Sequence, residues 1–264
     1  MNNATFKKLH SKESFFILGN CWDALSARIF EQAGYKALGT SSWALSSMQG
    51  VKDGENISFD TIFDNAKKIL YQISIPLSID IEKGYSQNTA DIVTNVVKLA
   101  DIGCSGINIE DSLVHGGLLP SEQFAKIIAS IKTGLLANGF PDFVINARTD
   151  TYLSESCNEK IAETLRRAAI YHEAGADCLF VPGLSELQSI YEISSHIYLP
   201  LNILNLPHID NVKDLQSAGV NRFSLGNSVF DDMLAYLEKS IALTYKSGDY
   251  AAFYNHAQLA LTFK

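Results

Sequence analysis

A chain of 264 residues that is 47% hydrophobic, with a mean hydropathy of +0.04, can bury a sizeable core. A net charge of −8 and a pI of about 5.2, with no Lys/Arg stripe, argue against a nucleic-acid surface. No apolar run reaches the ~18 residues of a membrane span, and "MNNATFKKLHSKESFF" lacks the h-region of a signal peptide. Cys21, Cys104, Cys157 and Cys178 lie far apart without a CxxC pair, so the expectation is a reduced cytoplasmic protein with no disulfide frame and no zinc knuckle.

Short β-type runs alternate with helical patterns along the chain. The run 14–19 (SFFILG) precedes a helix over 23–33, and 36–41 (KALGTS) precedes one over 58–72. Then come 75–81 (IPLSIDI) with 88–102, 106–110 (GINIE) with 121–138, and 143–148 (FVINAR) with 157–174. The pattern closes with 177–182 (DCLFVP) and 184–194, 199–205 (LPLNILN) and 210–218, and 221–226 (NRFSLG) and 228–246. The junctions "EQAGYKAL", "ADIGCSGI", "HEAGADCL" and "QSAGVNRF" each place Gly where a helix ends and a strand begins. Strands reading as apolar on both faces fit a parallel sheet covered by helices. Eight βα units in one chain predict a single (β/α)8 TIM barrel over residues 1–264, in the α/β class. A doubly wound sheet is the alternative, but no Gly-rich phosphate loop follows the first strand. The final "YAAFYNHAQLALTFK" reads as an extra C-terminal helix.

Barrel enzymes carry their sites at the carboxyl ends of the strands. There the third strand ends in Asp80 and Glu82, the fourth in Glu110 and Asp111, and the fifth in Arg148. Neighbouring strands aim such residues at one mouth, where several carboxylates repel. A hard divalent cation relieves the conflict. Mg²⁺ takes one or two carboxylates plus waters, which predicts a metal site of Asp80, Glu82 and Glu110 holding Mg²⁺, with Mn²⁺ as the alternative ion. Asp or Glu after a barrel strand is also a common helix cap, so the argument rests on the set rather than on any one residue. Asn205 ends the seventh strand and is a candidate for the same mouth. Asp150 is read as orienting Arg148, Asp210 as a helix N-cap, and His172 and His196 as surface residues. Trp22 and Trp43 are candidates for either pocket wall or core.

These segments resemble the isocitrate lyase/phosphoenolpyruvate mutase superfamily. "SIDIEKGYS" is similar to its D-x-D-x-G-Y-G metal segment, with Glu82 at the second acid and "GYS" in place of "GYG". "GINIEDS" and "INARTD" resemble its strand-four I-E-D and strand-five A-R segments. "GTSSWALSSMQGVKD" is similar to its carboxylate-binding loop, which puts Ser41, Ser42 and Trp43 at substrate-binding positions and Asp53 at the loop's acid. "GNCWDALSARI" and "RFSLGNS" add to the likeness. The resemblance implies a homotetramer whose eighth helix crosses to a neighbour. It also implies Mg²⁺ held by Asp80, with the other acids acting through water, and a keto or enolpyruvate acid touching Arg148 as it chelates the metal.

The loop after the fourth strand separates the chemistries. Members that split isocitrate or methylisocitrate carry K-[KR]-C-G-H there, and phosphonate-handling members carry K-x-N. Here the loop is "EDSLVHGGLLPSEQ", with no Cys or Lys, and only His115 titrates near neutrality. Decarboxylation of an oxaloacetate-like acid needs little acid–base help, because metal and Arg148 stabilise the pyruvate enolate. Cleavage of a small substituted malate is the related option. Two alternatives remain: P–C bond chemistry (a phosphonomutase or phosphonopyruvate hydrolase, with Asp53 as nucleophile or water-positioning residue) and a metal and keto-acid binding protein without turnover.

Overall fold

The computed structural model describes residues 2–113, 116–209 and 211–254. Eight parallel strands close on themselves in sequence order: β1 (Phe16–Cys21), β2 (Leu38–Thr40), β3 (Leu77–Asp80), β4 (Gly106–Glu110), β5 (Val144–Arg148), β6 (Cys178–Phe180), β7 (Leu201–Leu204) and β8 (Arg222–Ser224). The last strand pairs with the first through Phe16 and Arg222. This is the expected (β/α)8 barrel.

The helices follow from caps and from apolar faces. The helix α2 (Ala24–Gln32) starts at Asp23, whose carboxylate accepts from the Ser26 N–H while Ser26 reaches back, a capping box. Ser58 caps α4 (Phe59–Gln72) by accepting from the Thr61 N–H, and Asn88 caps α5 (Thr89–Asp101) by accepting from the Ala90 N–H. The Gly junctions behave as expected: Gly34, Gly103, Gly175 and Gly219 all take positive φ, between 85° and 101°. The outer core lies between barrel and helices, where α6 (Ser121–Ala137), α7 (Lys160–Glu173) and α8 (Leu187–His196) bury Phe124, Tyr171 and Ile193.

Several expectations need correction. The N-terminal segment, for which the sequence predicts no element, is helical. It forms α1 (Asn2–Leu9), which closes the bottom of the barrel by packing Phe6 edge-on against Phe16 and His10. Gly106 makes room for this plug, since a Cβ there would sit 2.9 Å from the Phe6 ring and 2.7 Å from the Val144 carbonyl. The stretch after β2 holds a short helix, α3 (Ser42–Met48), ahead of α4. The cap of α9 (Val212–Ser217) is Asn211, which accepts from the Lys213 N–H, whereas Asp210 lies outside the described residues.

The strands are also not apolar on both faces. Asn20, Ser78, Asn108, Asn146, Asn202, Arg222 and Ser224 are buried on them. Asn146 donates to Asn108 and Asn108 to Asp80, while Ser224 donates to Asn202. The interior is a polar ladder where bulky branched side chains usually dominate.

At the far end, α10 (Ser228–Ser247) buries only Phe230 and Thr244 of its 20 residues. Of the expected extra helix, Tyr250–Tyr254 form a 3₁₀ turn, and residues 255–264, with Leu259, Leu261 and Phe263, lie outside the described residues. Among the described residues no helix is long and apolar enough to cross a membrane.

Candidate active site

A cavity of about 220 Å³ opens at the carboxyl ends of the strands. Thr40, Ser41, Ser42, Trp43, Asp53, Asp80 and Arg148 line it. Thr40, Asp80 and Arg148 arrive at the ends of their strands, where alternate residues face alternate sides, and the others come from the loop and helix after β2. Asp80 and Arg148 end β3 and β5, and Ser41 caps α3 by accepting from the Ala44 N–H at 3.3 Å.

Asp80 is the electrical hub. Its Oδ1 accepts from Asn108 Nδ2 at 3.0 Å and from the Glu82 N–H at 3.2 Å, and its own N–H donates to the Thr40 hydroxyl. Its charge reaches Asp53, Glu82 and Glu110, raising all three. Burial, opposed by the Tyr85 hydroxyl and aided by Asp80, pushes Glu82 up to about 7. Burial also raises Glu110, against the pull of Arg148. Asp53 lies on an exposed loop, yet the walls of the mouth and Asp80 raise its carboxyl, while the Ser42 hydroxyl holds it down.

Arg148 is clamped. Its Nε and Nη2 donate to the two oxygens of Asp150 at 2.6 and 3.0 Å, and its Nη1 lies 3.0 Å from Glu110 Oε2. Burial works against the charge, but Glu110 and Asp150 more than offset it, so its pKa rises. The Phe180 ring lies 6.0 Å beneath the guanidinium. A bidentate guanidinium held this way is pre-set to receive an oxyanion.

The turn after β3 is built with unusual backbone. Glu82 and Tyr85 adopt left-handed φ of 47° and 58°, which costs of order 1–3 kcal/mol each and is held only by surrounding contacts. Tyr85 donates to Glu82 Oε1 at 2.6 Å, and Glu55 Oε1 accepts from the N–H groups of Lys83 and Tyr85.

The structure therefore brings Asp53, Asp80 and Arg148 to one cavity with Ser41, Ser42 and Trp43 on its wall, while Glu110 pairs with Arg148 and Glu82 donates its N–H to Asp80 without either lining it. Asn205 is turned to Ser228, donating to its hydroxyl at 3.0 Å, and the neighbouring Leu204 and Leu206 line the cavity. His115 lies outside the described residues. Asp111 faces away from the mouth, accepting from Arg167, Tyr171 and the Asp150 N–H. Trp22 packs in the core on Phe230, whereas Trp43 is half exposed and donates to Asp231. His172 and His196 are exposed. Tyr85, Glu55, Asn108 and Arg222 were not singled out from the sequence. Of these, only the recurring Asn at inward strand positions left a readable signal.

The described residues contain no ready-made cluster of three metal-ligating side chains. Glu82 is engaged by Tyr85, and Glu110 by Arg148 and Ser112, which leaves Asp80, at the end of its strand, and Asp53, on its loop, as the carboxylates on the cavity wall. That arrangement fits an ion that keeps most of its waters, as Mg²⁺ does.

A closed barrel with carboxylates and a clamped arginine at its upper mouth has the architecture of a (β/α)8 enzyme. The family profile for phosphoenolpyruvate phosphomutase matches residues 6–244, and the chain belongs to that family, within the isocitrate lyase/PEP mutase superfamily. An uncharacterised protein of Mycobacterium tuberculosis is 34% identical, over 84% of this chain and 82% of its own. An oxaloacetate decarboxylase of Paraburkholderia xenovorans is 25% identical, over 90% of this chain and 80% of its own. Among solved structures, a phosphoenolpyruvate phosphomutase from Streptomyces platensis subsp. rosaceus superposes with a TM-score of 0.87 at 21% identity, covering 98% of this chain and 92% of its own. A phosphonopyruvate hydrolase solved with oxalate and Mg²⁺ superposes with a TM-score of 0.83 at 23% identity, covering 94% and 88%. At these identities the two structures support the fold.

Proposed function

We propose that the protein is a Mg²⁺-dependent lyase that breaks a carbon–carbon bond in a small α-keto or 2-hydroxy dicarboxylic acid, oxaloacetate being the model substrate. The observation that carries this reading is the placing of Asp80 and the clamped Arg148 on one small cavity. Asp80 would hold the ion, with Glu82 and Glu110 reaching it through water; Mn²⁺ would serve in the same place. When bound, the metal supplies Lewis-acid polarisation of the substrate oxygens. Arg148 donates to the oxygen on which negative charge develops, and Asp150 and Glu110 keep its guanidinium in plane. Ser41, Ser42 and Trp43 bound the carboxylate end. In decarboxylation the bond to the departing CO₂ breaks and its electron pair enters the pyruvate enolate, which then takes a proton; His115 is the candidate donor. The loop without Cys or Lys supports this over methylisocitrate cleavage.

Oxaloacetate decay followed with Mg²⁺ and with EDTA tests the reading, with phosphonopyruvate and methylisocitrate as rivals. Metal-dependent turnover of the small dicarboxylate and little of the rivals is the expected result. A protein that turns over phosphonopyruvate, or leaves oxaloacetate no faster than free Mg²⁺ does, would refute it.

The same proposal extends to assembly. Val229, Met233, Leu234, Leu237 and Ile241 on α10 are exposed apolar residues on a helix with almost no buried face. With Leu25, Ile29 and Met48, the first three of these, Val229, Met233 and Leu234, border an apolar groove beside α2. A second copy covering α10, within a tetramer, removes this surface from water. Light scattering should then give a multiple of 29.0 kDa, and a monomer mass at working concentration would refute it.

A further inference from the structure

Arg148 is not the only guanidinium in the cavity. Arg222, on β8, lines it as well. The pairing register runs Arg148–Phe180–Asn202–Arg222 from β5 to β8, so the two arginines come from walls three strands apart. Their environments differ in kind. Arg148 has two carboxylates, whereas Arg222 is 3% exposed and forms no salt bridge with any described residue. Its Nε donates to the Ser224 hydroxyl at 3.2 Å, and its Nη1 lies 3.3 Å from His10 Nε2. Neither group is an anion. His10 Nδ1 is 2.9 Å from the Phe6 carbonyl, so it carries the proton and Nε2 accepts from Arg222. Burial, reinforced by Arg222, brings His10 down to about 3, so the ring is neutral at working pH. Cys178 is pushed up to about 12 by burial and stays a thiol.

Burial draws Arg222 down to about 10, which still leaves it charged at neutrality. A buried charge without a counter-ion is costly. Asp80 is the one carboxylate whose charge supports it, and a divalent cation held there would cancel that support. Nearby, Ser224 donates to Asn202 Oδ1, and Asn202 Nδ2 is a buried donor with no partner among the described residues.

We propose that Arg222 receives the second carboxylate of the substrate, the one remote from the metal and Arg148, and so selects dicarboxylates over monocarboxylic keto and hydroxy acids. The proposal rests on the reading of the site given above and deepens it. The substrate brings the paired anion that the described residues do not supply. For a 2-hydroxy dicarboxylate this charge persists in the second product. For oxaloacetate it leaves as CO₂, so the contact helps binding more than it helps the decarboxylation step.

Calorimetric titration with Mg²⁺ present tests the proposal with malate, malate 4-amide, lactate and oxalate. A charge-assisted hydrogen bond in a buried site corresponds to roughly 10- to 100-fold in affinity. The wild type should bind malate tighter than the 4-amide or lactate by that factor. Arg222→Gln should abolish the preference and leave oxalate binding, which needs only the metal and Arg148, within about twofold. Equal wild-type affinity for malate and its 4-amide would overturn the proposal without any variant having to fold. A folded Arg222→Gln protein that kept the preference would overturn it too. If oxalate fails to bind the wild type with Mg²⁺, the parent reading falls and this one with it.

Discussion

Asp80→Ala should lower kcat/KM on the metal-dependent substrate by roughly 10³-fold or more, because metal polarisation of the reacting oxygens supplies several kcal/mol and each ~1.4 kcal/mol is tenfold in rate. The reason lies in how the neighbouring acids are engaged. Glu82 accepts from Tyr85, and Glu110 pairs with Arg148. Either would have to give up its present partner to replace Asp80. Asp80→Asn separates charge from shape, since its amide oxygen still accepts from Asn108 Nδ2 and the Glu82 N–H. Both variants should fold, and both should lose Mn²⁺ affinity in a titration. If the Asn variant binds metal as the wild type does, the ion is not centred on this residue.

Much of this site could be read from the chain because barrel geometry is repetitive. Once "SIDIE", "GINIE" and "FVINAR" are strands of one parallel barrel, their ends come together, as Asp80 and Arg148 do on the cavity wall and Glu110 does by pairing with Arg148. The Gly junctions carried the element boundaries through a backbone requirement that few other residues meet, which is why Gly34 and Gly175 do take positive φ. The polar interior was visible but masked. In "SIDI", "INIE", "INAR" and "LNIL" the outward Ile and Leu dominate the composition, so Asn at the inward position reads as an interruption rather than as a face. The short helix α1 has little apolar content beyond Phe6 and Leu9, and its role depends on Gly106, a contact no local pattern carries. Arg222 begins its strand and reads as an ordinary solvated charge. Only closure of β8 onto β1 puts it inside.

Asp111→Ala should lower the melting temperature by roughly 6–20 °C, because breaking a buried ion pair costs about 3–5 kcal/mol and a chain of about this size loses about 2–4 °C per kcal/mol. Asp111 follows Glu110, and strand alternation sends the two carboxylates to opposite sides. Glu110 faces Arg148 in the mouth. Asp111 is fully buried outside the barrel, accepting from Arg167 Nη1 at 2.8 Å and the Tyr171 hydroxyl at 2.6 Å. Removing it strands the Arg167 charge, whose side chain is 5% exposed and keeps only Glu163 as a carboxylate partner. The effect should reach the chemistry as well. Asp111 Oδ1 accepts from the Asp150 N–H at 3.0 Å, and Asp150 grips Arg148 through two hydrogen bonds. Turnover should therefore fall at temperatures where the variant is folded, through kcat more than KM. The double variant Asp111→Leu/Arg167→Met distinguishes the two effects. With no charge left buried alone, much of the lost stability should return. Activity should not, since the Asp150 N–H still has no acceptor. A single variant that melts within about 2 °C of the wild type would show that the network contributes little. Recovery of activity together with stability would show that Asp111 has no part in positioning Arg148.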